Sequence, residues 1–319
     1  MEKNEKKEFV FYYESRQNPN GDPGFENQPR KQPDDTIIIT DVRIKRTIRD
    51  YAKSKGEVIF VDYNEKNEHT RAKDRAEKIC DKSIDGLKLL ERTFDVPLFG
   101  ALVPISEDKK GAGSSLKITG PVQLAIGRSV NKVTIINPQI SSIFSTQKEK
   151  KSKKEDEEAE NKMFGTFGTF YSVEYALIKT YGAINPTNLG TFYENAFKYT
   201  QKAEVKLFDY LWNGTNQLVT RSKYPQRSIF YLEVTYKDSL YNDLNELIQE
   251  NAKMHGEDVK EIIKPLFDFS RLLDAFKARK DKIKGIRIAA CHDIADEAEE
   301  LKKKLESTVT KDVELINTN

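Results

Sequence analysis

An α+β fold with the ferredoxin-like order βαββαβ is predicted for this 319-residue chain by three observations. An aromatic run, Phe9-Val10-Phe11-Tyr12-Tyr13, reads as a first strand. Ile44, Ile48 and Tyr51 then recur at helical spacing. Further strand patterns at 171–178, 229–236 and 286–290 have a second amphipathic helix between the first two of them.

A Pro-, Gly- and Asn-rich loop follows the first strand from residue 18 to 33, and a β-branched run occupies 36–39. Thr40 or Asp41 is a suitable N-cap for a helix running to about Lys55, and Gly56 closes it. A short strand at 58–61, a charged helix over 68–92 and strands at 98–104 and 116–126 continue the alternation. Residues 147–162 hold six Lys and six acidic residues with Ala159 as the sole apolar member, so this segment cannot enter a core. The chain returns to the sheet through Phe164-Gly165-Thr166-Phe167-Gly168-Thr169-Phe170 and the strand at 171–178, where Tyr171, Val173, Tyr175 and Leu177 alternate toward one face. Phe192, Ala196, Tyr199, Ala203, Leu207, Tyr210 and Leu211 mark the second helix. This order is that of RNA-recognition modules, lengthened by insertions.

Composition narrows the class without naming a partner. The 17 Phe and 14 Tyr exclude a disordered chain, and 53 Lys+Arg against 51 Asp+Glu leave the average surface uninformative about polyanions. No apolar stretch reaches the roughly 18–20 residues of a membrane span, and the leading MEKNEKKE lacks an apolar signal run. With two separate cysteines, Cys80 and Cys291, a reducing cytoplasm is the expected location. His69, His255 and His292 are scattered, so no zinc spacing can be written and no metal is expected. Gly111-Ala112-Gly113 starts like a dinucleotide loop, but Leu116 stands where the third glycine belongs; no cofactor is expected.

Four groups of residues could carry function. Lys45, Arg46, Arg49 and Lys53 fall opposite the apolar stripe of the first helix. Arg43 and Lys45 lie near its N-terminus, where cations oppose the macrodipole unless an anion shares the site. A solvated charged face is the plain alternative. Arg30 and Lys31 in the long loop are further phosphate candidates, while Asp22, Asp34 and Asp35 could hold Mg²⁺ or simply form turns. Met163, Phe164 and Phe167, beside the charged run, could wedge between bases, dock another protein chain or pack on the chain's own sheet.

Asn18-Pro19-Asn20-Gly21-Asp22-Pro23, Pro29-Arg30, the run Thr40-Asp41-Val42-Arg43-Ile44-Lys45-Arg46-Thr47-Ile48-Arg49, Pro97-Leu98-Phe99-Gly100-Ala101 and Ile118-Thr119-Gly120-Pro121-Val122-Gln123 stand in a specific order and spacing. Together with Phe170-Tyr171 and Asn185-Pro186, they resemble the backbone subunit of type I CRISPR Cascade, the Cas-seven family, most like its subtype I-B and I-C branches. The resemblance implies an RNA-recognition-like palm (1–136 and 169–319), a helical insertion near 63–115 and a protruding hairpin thumb at 137–168 that contains the charged segment. It implies copies of the chain stacked in a helical filament along CRISPR RNA, with each thumb kinking the guide. Bases are then presented for pairing with target DNA, next to other Cascade subunits and without catalysis. By matched positions, Lys45, Arg46 and Arg49 contact guide phosphates, and the wedge is one of Met163, Phe164 and Phe167. Two rivals stay open. One is a metal-dependent ribonuclease, because related type III backbone subunits cut RNA with an aspartate in the loop that here holds Asp22. The other is a protein-binding scaffold.

Overall fold

The aromatic N-terminal run becomes the middle of a sheet. The computed structural model describes residues 5–64, 66–105, 114–137, 139–141, 167–251 and 264–318. Its central sheet comprises β1 (Lys6–Ser15), β2 (Ile38–Ile39), β3 (Val122–Leu124), β4 (Gly127–Ser129), β5 (Ala176–Ile184), β6 (Gln226–Tyr236), β7 (Ile283–Ala290) and β8 (Val313–Asn317). Their spatial order is β8-β7-β6-β1-β5-β4-β2, with β3 also paired to β5. All pairings are antiparallel except β7 with β8, so the sheet is mixed. Tyr13 and Ser15 at the end of β1 face Ser228 and Gln226 of β6 across a register shift.

Helices cover both faces, and this is why the 9–13 stretch of β1 is aromatic and apolar on both faces and not alternating. Phe9, Phe11 and Tyr13 pack in one core with Ile44, Ile48 and Tyr51 of α1 (Asp41–Ser54). Val10 and Tyr12 point into a second core, closed by Leu272 and Phe276 of the 270–278 helix and by Leu301 and Leu305 of the 295–308 helix. A third core gathers Ala76 of α2 (Ala72–Ile79), Leu89 and Leu90 of α3 (Gly86–Arg92) and Ala196 of α4 (Tyr193–Glu204). The sheet-facing helix α5 (Leu207–Asn216) follows α4 directly, and its Tyr210 and Leu211 join the first core. Two longer helices follow in the C-terminal part, α6 (Ser270–Ala278) and α7 (Ala295–Thr308).

Several expectations are corrected. Residues 58–61 are not a strand: the amides of Phe60 and Val61 donate to the Asp95 carboxylate instead of to a neighbouring strand. The helix expected over 68–92 is two, α2 and α3, because Asp81 and Lys82 adopt positive φ between them. The second long helix is likewise split into α4 and α5 at residues 205–206. Residues 98–104 begin as a helical turn, Val96–Phe99, before the strand Gly100–Pro104. The expected strand at 171–178 divides into Ser172–Val173 and β5, and side chains on both faces of β5 are buried, since helices lie on each side. The edge strand β8 has no counterpart in the sequence reading.

Two of the glycine-containing motif pieces meet each other. Gly100 has φ +76°, and a Cβ there would lie 2.2 Å from the Ile118 carbonyl oxygen. A Cβ on Gly120 would lie 2.2 Å from the carbonyl carbon of Phe99. Only glycine permits this crossing of the 97–101 and 118–123 segments.

Candidate nucleic-acid interface

Helix α1 forms as its sequence dictates. Thr40 is the N-cap, its hydroxyl accepting from the Arg43 amide, and Ile44, Ile48 and Tyr51 are buried. Its basic residues do not make one open face. Lys45 pairs with Asp41 at 3.0 Å, Arg46 with Asp50 at 2.6 Å, and Lys53 with Asp62 at 2.6 Å. Arg49 is a correction to the expected open face: it is 8% exposed, and its Nε donates to Asp95 at 2.8 Å. The Phe99 ring lies beneath it, 5.2 Å from its guanidinium carbon. The 93–99 segment has folded over that side of the helix, so Arg49 acts as a structural ion-pair partner. The motif pieces around Arg49 and Phe99 therefore meet in space.

Arg43 differs from these. Among the described residues no carboxylate lies within ion-pair distance of it, and its Nη2 donates to the Thr47 hydroxyl at 3.1 Å. It sits in a crevice lined by Tyr13, Pro19, Thr215 and Gln226, where burial pulls the guanidinium below the usual arginine value. A second cation, Lys223, comes from the loop before β6 and donates to the Asn18 carbonyl at 2.6 Å. Burial, then the like charge of Arg43, bring the Lys223 ammonium down to about 8. The two like charges repel, and Asp50, a carboxylate that acts on Arg43 from beyond ion-pair distance, is itself paired with Arg46, so an anion between the two cations is favoured. The pair also lies beside other loops. Arg221 stacks over the Phe170 ring at 5.6 Å, and the Tyr171 hydroxyl meets Glu26 at 3.4 Å. The run 18–29 thus touches the 217–225 loop through Asn18, and through Glu26 it touches Tyr171, just after the paired strands Gln139–Ser141 and Phe167–Thr169.

The other predicted residues are placed as follows. Arg30 pairs with Asp22 at 3.2 Å and Lys31 with Asp35 at 2.7 Å. Asp22 also caps the Pro23–Phe25 turn by accepting from the Gly24 amide. Asp34 accepts from the Thr36 hydroxyl and amide, which hold its carboxyl below the usual range. Met163, Phe164 and the charged segment 147–162 lie outside the described residues, and Phe167 is described only as a strand residue opposite Ser141. Sequence reasoning missed Lys223 and Asp95. The basic run Arg221-Ser222-Lys223-Tyr224 was the available signal for the first; Asp95, a single carboxylate before Val96-Pro97, offered none.

A mixed α/β sheet protein with two cations near one end of a helix, neither within ion-pair distance of a carboxylate among the described residues, is, as a class, suited to holding a polyanion. The CRISPR-associated protein Cas7 family model matches residues 5–271, and the chain belongs to that family. A CRISPR-associated protein Cas7 from Haloferax volcanii is 27% identical, over 88% of this chain and 85% of its own length. A chain of a solved CRISPR RNA-guided surveillance complex superposes with a TM-score of 0.50 at 12% identity, covering 99% of this chain and 95% of that one. The fold is shared with it.

Proposed function

We propose that this chain is an RNA-binding backbone subunit of a type I CRISPR Cascade surveillance complex, polymerising along CRISPR RNA and presenting it for pairing with target DNA. The observation that carries this reading is the Arg43–Lys223 pair, two half-buried cations with no carboxylate within ion-pair distance among the described residues, Lys223 lying in the loop whose Arg221 stacks over Phe170. Its partners are then the guide, other copies of the chain in a helical filament and the remaining Cascade subunits. The strand order β6-β1-β5-β4, with α1 and α5 on one face, supports reading the sheet as an RNA-recognition-like palm. Residues 63–115 are the insertion, and the 139–141/167–169 ladder is the base of the thumb. Lys45, Arg46, Lys53, Arg30 and Lys31 can join the phosphate path by exchanging their carboxylates for the guide. The proposed location is the cytoplasm; among the described residues no helix is long and apolar enough to cross a membrane.

The test uses the titration of Lys223. Phosphate binds the ammonium form, so affinity for single-stranded RNA is highest below about 8 and falls as the pH rises through that value. Fluorescence anisotropy should show a loss of up to about tenfold between about pH 7 and about pH 9, and Lys223→Arg should remove the dependence. A flat profile in the unaltered chain would remove this lysine from the interface.

The ribonuclease reading is not favoured, because both Asp22 oxygens already have structural work: a turn cap and an ion pair with Arg30. Incubating the assembled complex with complementary RNA and Mg²⁺ should give no periodic fragments. Regular fragments that disappear in Asp22→Ala would move the chain to the nuclease class.

A further inference from the structure

The motif Asn18-Pro19-Asn20-Gly21-Asp22-Pro23 opens a closed loop, not a free arm. Gly21–Asp22 pairs antiparallel with Gln28–Pro29, and the Asn27 amide donates to the Asp22 carbonyl at 2.8 Å. Asn18, 4% exposed, ties the two ends together, its side-chain amide donating to the Asn27 carbonyl at 2.5 Å. A Cβ on Gly21 would lie 2.7 Å from that same carbonyl oxygen and 3.1 Å from Asn18 Nδ2, so the tie needs glycine at this position. Asn20, also buried, anchors the loop on the sheet by donating to the Ile38 carbonyl of β2 at 3.4 Å.

The backbone of Asn18 serves the neighbouring cations. Its carbonyl accepts from Lys223 Nζ at 2.6 Å, and Pro19 lines the crevice that holds Arg43. A residue before proline is biased to extended backbone, which narrows the directions its carbonyl can take. Lysine has a flexible stem, and the like charge of Arg43 drives the ammonium away from the crevice. The Asn18 carbonyl opposes that drive with a charge-assisted hydrogen bond. An ammonium has three donors, so two are left for an incoming phosphate. We propose that Asn18 is a positioning residue of the anion site: clamped on Asn27, it aims its own carbonyl so that Lys223 stays beside Arg43 before an anion arrives. That this anion is a guide phosphate rests on the guide-binding reading above.

Asn18→Ala and Gly21→Ala break the clamp by different routes and leave both cations in the chain. With lysine isotope-labelled at Cε in the full chain, an NMR titration without RNA reads the Lys223 ammonium, assigned by the signal lost in Lys223→Arg. Arg43 is the charged group acting on this ammonium, and Tyr13 of β1 with Asp50 and Arg46 of α1 act on Arg43 in turn; the two variants keep all of them. The midpoint in the unaltered chain is expected at about 8. In both variants the freed ammonium should move into water and its midpoint rise by about one pH unit or more, toward that of an ordinary lysine. RNA affinity near neutral pH should fall about three- to tenfold. The same substitutions made in Lys223→Ala should cost nothing more, a result that a merely structural loop would not give. A thermal melt checks that each variant is folded. A midpoint that stays or falls in the folded variants would overturn the proposal, because the lysine then keeps its place without the clamp. An equal loss of affinity in the Lys223→Ala background would overturn it too, since Asn18 would then act on RNA by another route. A raised midpoint in a chain that binds no RNA would keep the positioning role and sink the guide reading, whereas RNA binding with an unmoved midpoint would do the reverse.

Discussion

Asp95→Ala is expected to cost about 3–5 kcal/mol of folding stability, the range found when one partner of a buried ion pair is removed. Asp95 is fully buried and accepts three hydrogen bonds, from Arg49 Nε at 2.8 Å, the Phe60 amide at 2.7 Å and the Val61 amide at 3.1 Å. The variant leaves a buried guanidinium without its carboxylate and two amides without an acceptor. Arg49→Met should cost less, because Asp95 then keeps both amides. Urea unfolding followed by circular dichroism measures both. A loss below about 1 kcal/mol for Asp95→Ala would show that water or neighbouring groups replace the carboxylate easily.

The Arg43→Ala/Lys223→Ala variant should lose about 100-fold in affinity for single-stranded RNA at moderate salt. The slope of log affinity against log salt should flatten by about 1.4, since each phosphate contact on a single strand contributes about 0.7. Its loss should be similar for all sequences, because phosphate contacts carry no base information. The fold should not suffer, as the change removes two like charges that lack a carboxylate partner. Lys45→Ala and Lys53→Ala should each do less, since each of these cations is already neutralised by Asp41 or Asp62. Unchanged affinity and slope in the double variant, or a larger loss from either single variant, would place the phosphate path elsewhere on α1.

What the sequence revealed depended on how local the cause was. Helix α1 was legible from its cap and its i, i+4, i+7 stripe, and β1 and β6 from continuous aromatic and β-branched runs. The two breaks, at Asp81-Lys82 and at 205–206, were not, because the apolar spacing runs on through them while the backbone turns to fill a third core. β8 is five residues whose pairing is parallel to β7, reached through α7, so nothing in its own residues fixes the partner. For the interface, the helical projection put Arg49 outside; only the fold of residues 93–99 over α1 puts it inside. Lys223 stands 180 positions after Arg43, and the two become neighbours only because β1 and β6 are adjacent in the sheet.

The burial of both sheet faces has a consequence for what the subunit can distinguish. Phe9, Phe11, Tyr12 and Tyr13 of β1 and Phe230, Tyr231 and Tyr236 of β6 are all under helices, so the strand aromatics on which RNA-recognition modules stack bases are used up in holding the domain together. If the guide is gripped from the helix end and loops, as proposed, the hold is that of a clamp, indifferent to the text of the strand, and one unaltered chain can serve guides of any sequence.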